Sequence, residues 1–142
     1  MTYVTLSDLT ARYGESLLVS LTDRGEIALG TIQAEVVDRA VADTGAVIEG
    51  YLSGRYALPL AAPQPLLTDV AVAIAVWKLH TFAPDPKIEA DYKGAMATLR
   101  EIAAGTIRLA AAGVEAAGTG TSGALVTDRE RPFTAENLKG FI

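Results

Sequence analysis

The run Pro65–Phe82, PLLTDVAVAIAVWKLHTF, constrains this chain more than any other segment, because it is apolar on almost every side. Pro65 suits the first turn of a helix, where its missing N–H removes no bond. Leu66, Leu67, Val70, Ile74, Val76, Trp77, Leu79 and Phe82 then leave only Asp69, Lys78 and His80 as strongly polar points. A helix with no polar face belongs at the centre of a bundle or between subunits. Pro84 and Pro86 end it. The longest apolar stretch, Leu66–Trp77, contains Asp69 and is too short to span a bilayer.

Four more helices are expected around it. Ser7 can cap a short helix Asp8–Tyr13 that Gly14 stops, and a second short helix covers Glu15–Leu21. After a turn at Thr22-Asp23-Arg24-Gly25, Thr31 can cap a long helix from Ile32 to about Leu52. Ile32, Val36, Val37, Ala40, Val41, Thr44, Val47, Ile48, Tyr51 and Leu52 share one face of it. That face spans roughly 200°, wider than one packing partner requires, so burial from two directions is expected. The last long helix, about Lys87–Ala104, carries a conventional stripe of Ile88, Tyr92, Ala95, Met96, Leu99, Ile102 and Ala103. Glu89 and Lys93 can pair on its solvent face.

Between the long helices the chain turns abruptly. Gly54 can end the helix in a left-handed conformation, and Pro59 and Pro63 then forbid further helix. Tyr56, Leu58 and Leu60 alternate on this proline-fixed connector and need a cover, either the chain's own core or a neighbouring subunit. The second reading makes Arg55, Tyr56, Leu58 and Leu60 a subunit interface, since Tyr and Arg are enriched at interface centres. The fold class is therefore all-α: a small helical bundle, the connector, and an extended C-terminal arm. A minor irregular or β component is expected near Gly25–Leu29 and Tyr56–Leu60.

Three segments divide the chain: a bundle over 1–109, a linker over 110–127 and an arm over 128–142. The linker is almost wholly Ala, Gly, Thr, Ser and Val, with Glu115 its one charge. Such a composition does not repay its ordering entropy, and its expected end-to-end distance is roughly 25 Å. The arm mixes charges with Phe133, Leu138, Phe141 and Ile142, and Thr134 can cap one helical turn, Ala135–Lys139. An apolar tip on a tether has the outline of a docking peptide.

Reactive chemistry finds little support. Half of the 142 residues are hydrophobic, enough for one real core, and no cysteine is present. His80 is the single histidine, so no histidine metal cluster can form within one chain. Asp23 and Glu26 around Gly25 lack the regular oxygen ligands of a calcium loop. Gly118-Thr119-Gly120 has neither the strand before it nor the lysine after it that a phosphate loop needs. Asp38, Asp43 and Glu49 are spread over a solvated helix face rather than paired for acid–base work. Asp69 fits the positive end of its helix, with Arg55 as an alternative partner. An excess of 17 acids over 12 bases argues against gripping nucleic acid, and the last long helix offsets Lys87, Lys93 and Arg100 with Glu89, Asp91 and Glu101. No enzymatic activity, cofactor or metal is expected. The opening MTYVTLSDL lacks the features of a secretion signal, so a soluble protein assembled in the cytoplasm is expected.

Three runs, LSDLTARYG, EGYLSGRYALPL and DRERPFTAENLKGFI, resemble those of the Mu-type phage neck protein family, and the likeness extends from about Leu6 to Ile142. The resemblance implies a head–tail adaptor of the virion neck, a ring of twelve copies beneath the portal with DNA passing through its lumen. It implies the portal protein, neighbouring copies and a tail or stopper neck protein as partners, and no membrane. On the closing segment it implies portal docking by Arg129, Arg131, Phe133, Leu138, Lys139 and Phe141. A small helical binding module that docks through its C-terminal peptide is the rival expectation from the residues alone.

Overall fold

A computed structural model describes residues 1–110 of the chain. Five helices form in order: α1 (Leu6–Tyr13), α2 (Glu15–Thr22), α3 (Ala34–Leu52), α4 (Pro65–Leu79) and α5 (Pro86–Ala104). No β-strand forms at Gly25–Leu29 or Tyr56–Leu60, so the fold is all-α among the described residues.

The apolar helix α4 is central within one chain. It packs against α3 on one side and α5 on the other, with α1 touching it as well. Leu67, Val70, Ala71, Val72, Ala73, Ile74, Ala75, Val76 and Leu79 are all buried, which accounts for a helix without a polar face. Each fully buried Leu or Ile contributes roughly 1.5–3 kcal/mol of transfer free energy. Trp77 stacks on Tyr92 of α5, with ring centroids 4.0 Å apart and planes 8° from parallel.

The wide apolar face of α3 is likewise buried from two directions by the chain itself. One cover is α4; the other includes the N-terminal segment, whose Tyr3 and Val4 are buried in the same core. Gly45 permits that approach, since a Cβ there would stand 3.3 Å from the carbonyl oxygen of Met1 and 3.9 Å from Tyr3 Cδ2. Thr44, also buried, returns its hydroxyl to the Ala40 carbonyl at 2.7 Å.

Several helix ends differ from the sequence expectation. Helix α1 is capped by Thr5 rather than Ser7. The Thr5 hydroxyl accepts from Asp8 N, and the Asp8 carboxylate accepts from Thr5 N at 2.8 Å, a reciprocal capping box. Helix α3 starts after Gln33, not Thr31, because Gln33 N donates to the buried Thr22 hydroxyl at 3.0 Å and so ties the start of α3 to the end of α2. Helix α4 stops at Leu79, where Arg24 takes the terminal carbonyl and His80 turns extended with its Nδ1 2.8 Å from the Val76 carbonyl. Pro86 opens α5 rather than closing α4, with the Asp85 side chain accepting from Lys87 N. Gly54 does not take a positive φ; Leu52 O instead accepts from both Arg55 N and Tyr56 N.

Helices α3, α4 and α5 run up, down and up. At one end the first half of α3 (Val36, Arg39, Ala40) meets the last turn of α4 (Lys78, Leu79). At the other, Arg55 just beyond α3 reaches Ala103 at the close of α5. The α2–α3 loop and the α4–α5 turn therefore share one end of the bundle, and the connector shares the opposite end with the exit of α5.

Candidate functional site

The connector, residues 53–64, seats on its own bundle. Tyr56 is 3% exposed and Leu60 6%, both within the core, while Arg55 and Leu58 are half-buried. The Leu58–Pro59 peptide is cis. Of the four residues expected at a subunit interface, Tyr56 and Leu60 are thus covered by the chain itself, and Arg55 and Leu58 alone keep appreciable surface.

Two of these side chains hold the point where α5 ends. Gly105 closes α5 in the left-handed region at φ +81°, and Thr106 N and Ile107 N both return to Glu101 O at 2.9 and 3.2 Å. The Arg55 guanidinium lies against Gly105, and its Nε donates to Ala103 O at 3.4 Å. Leu109 then turns its side chain into the core, and its buried N–H donates to Tyr56 Oη at 3.1 Å. Gly105 as a helix stop was legible in the sequence; the bond between residues 53 positions apart was not.

The opposite end carries exposed apolar side chains. Ile27 and Leu29 of the α2–α3 loop are 78% and 64% exposed, and Phe82 of the α4–α5 turn is 66% exposed. The loop is held in shape by Asp23, whose Oδ2 accepts from Leu29 N at 2.8 Å and Gly30 N at 2.9 Å. Backbone donors thus engage the aspartate weighed above as a calcium ligand. Phe82 meets His80 edge-on at 5.8 Å between centroids. Strict periodicity reasoning placed Phe82 inside a helix and missed this display.

Charge is arranged along the side of the bundle. Asp69 pairs with Arg12 of α1 at 2.8 Å, neither at the helix start nor with Arg55, and both partners are more than half exposed. The Asp69 carboxylate holds the Arg12 guanidinium above its ordinary pKa. Lys87 pairs with Asp91, and Lys93 with Glu89 at 3.1 Å, the second as the spacing required. Arg12, Asp69, Lys87 and Asp91, with small residues of α4 and α5, line a groove in which these four charges are paired with one another. Among the described residues no group of three or more His, Asp or Glu side chains is placed to hold a metal ion. None of the described helices is long and apolar enough to cross a membrane.

Arg129, Arg131, Phe133, Leu138, Lys139 and Phe141, and the linker from residue 111 onward, lie outside the described residues.

Comparison with known proteins gives two concordant results. Residues 3–127 match the model of the family described as Bacteriophage Mu, Gp36. The chain is also 31% identical to "Gene product J" of Escherichia phage Mu over 142 residues, covering all of both chains. The family match thus takes in the whole described bundle, and the likeness to the phage Mu protein continues through the closing segment.

Proposed function

The chain belongs to the bacteriophage Mu Gp36 family, and from that premise we propose that it is a structural protein of the virion neck, an adaptor joining the portal to the tail. The observation that carries this reading is the two-ended bundle. One end anchors the root of the C-terminal segment through Arg55, Tyr56, Gly105 and Leu109; the other displays Ile27, Leu29 and Phe82 to solvent. An adaptor needs two separate contacts pointing in opposite directions, and a bundle with two such ends is suited to that task.

In this reading the arm docks on the portal, with Phe133, Leu138 and Phe141 as apolar anchors and Arg129, Arg131 and Lys139 setting orientation. Copies stand side by side in a twelve-fold ring, and Arg55 and Leu58 provide the connector's share of the contact between them. DNA passes through the lumen without being held, in keeping with a formal charge of −5. Ile27, Leu29 and Phe82 face the next protein towards the tail. The chemistry is purely recognition. An arm that orders on docking binds modestly by itself, and a ring of arms gains through effective concentration. Such a subunit stays monomeric until a filled head presents its portal.

Binding of the purified protein to its portal ring, full length beside a truncation ending at Thr127, tests the assignment. Binding by the full chain and its loss on truncation are expected. Failure of both forms to bind, to filled heads as well as to the isolated portal, would overturn the neck assignment in favour of a docking module for some other complex.

A further inference from the structure

Two side chains of the connector, Arg55 and Tyr56, reach the segment through which the chain leaves the bundle. Tyr56 is almost fully buried, and its hydroxyl accepts from the Leu109 N–H at 3.1 Å. That amide is itself buried, so without Tyr56 Oη it would be a donor stripped of water and of a partner. One turn earlier Arg55 covers Gly105 and bonds Ala103 O, where the end of α5 leaves a carbonyl without a helical donor. The chain between these two grips, Gly105 to Leu109, has no regular helix of its own. Exposed Thr106 and Arg108 alternate with half-buried Ile107 and buried Leu109, so one side of the segment is pressed to the bundle.

We propose that Arg55 and Tyr56 form a clamp that fixes residues 105–109 to the bundle and thereby sets where the C-terminal segment departs. The two are positioning residues that act through the backbone they grip. The connector then has a task inside each subunit: any displacement of residues 53–64 is passed to the root of the arm. A fixed root also lowers the ordering cost of whatever the arm engages, because fewer residues need be placed at docking. The portal as the arm's target rests on the neck reading above; the clamp does not.

Trypsin reads the clamp directly, because the bond it would cut after exposed Arg108 contains the amide that Tyr56 holds. Cleavage there requires residues around Leu109 to lift away from the bundle, and its rate follows the population of that opened form. In the full-length protein, Tyr56→Phe keeps the ring and removes the acceptor. Cleavage between Arg108 and Leu109 should become about tenfold faster, while amide exchange within α4 keeps its wild-type rates. An unchanged cleavage rate would overturn the proposal. A rise matched by an equal acceleration of exchange in α4 would also overturn it, by showing that Tyr56 supports the core in general. Arg55→Met, which retains the aliphatic stem, should accelerate the same cut, and no acceleration would remove Arg55 from the clamp. Weaker portal binding by Tyr56→Phe, whose arm sequence is intact, would join the clamp to the neck function. Failure of the wild type to bind the portal would defeat the neck reading and leave the protease result standing.

Discussion

The guanidinium of Arg55 lies so close over Gly105 that a Cβ at that glycine would stand 2.6 Å from Arg55 Cζ. No such atom can be accommodated unless the arginine moves, and Gly105 also has φ +81°, which L side chains rarely adopt. Gly105→Ala is therefore expected to lose about 2 kcal/mol or more of stability in urea denaturation. Gly54→Ala provides the contrast, having open space around it and no positive φ. It should change stability by no more than about 0.5–1 kcal/mol, and in the stabilising direction.

The start of α1 depends on Thr5 and not on Ser7. Thr5→Ala should cost about 1 kcal/mol, whereas Ser7→Ala should stay within roughly 0.5 kcal/mol, as thermal melts would show. The Thr5 hydroxyl and N–H both bond the Asp8 carboxylate and hold its pKa below the ordinary value of 3.8. A carboxyl lowered on folding stabilises the fold above its unfolded value, and that contribution disappears as pH falls through the depressed one. Acid titration of Thr5→Ala should accordingly show a weaker loss of stability below pH 3.8 than the wild type shows.

Alkaline pH acts on Tyr3, in the N-terminal segment against α3. Burial, and then the neighbouring Glu49 carboxylate, push Tyr3 from 10.0 up to about 12. Its neutral form is favoured by folding, so the associated stability is complete below pH 10 and is lost as pH rises towards 12. Ultraviolet difference spectra should show Tyr3 ionising late, towards pH 12 rather than at the ordinary value of 10.0. Tyr3→Phe should abolish that late step and flatten the decline of stability across this window.

Much of this architecture is legible in the sequence. The all-round apolar pattern of Leu66–Trp77 left two places for this helix, the centre of a bundle or a seam between subunits, and α4 is central within one chain. The Glu89–Lys93 pair followed from helical spacing alone. Helix starts were read less well, because Ser7 and Thr31 are good caps by type, while Thr5 and Gln33 win through bonds to Asp8 and Thr22. The width of α3 was read correctly, yet its second cover includes an N-terminal segment too short to carry a period. Asp69 found Arg12, and Tyr56 found Leu109, across separations that no local rule encodes.

Exposure separates residues that hold the fold from residues available to a partner. Ile74 is fully buried in α4, and Ile74→Ala should cost about 2–5 kcal/mol. Ile27→Ser and Phe82→Ser, at positions 78% and 66% exposed, should leave stability within roughly 0.5 kcal/mol of wild type. If these side chains meet the next neck protein, the double substitution should weaken that contact while portal binding is retained. Pull-down against each partner separately distinguishes the two.

The central claim is positional, and cryo-electron microscopy of assembled virions tests it most directly. The account predicts a ring of five-helix bundles beneath the portal, with Tyr56 and Leu109 at the end facing it and Ile27 and Phe82 facing the tail. Virions whose neck contains no such bundle, or a ring with Ile27 and Phe82 against the portal, would contradict it.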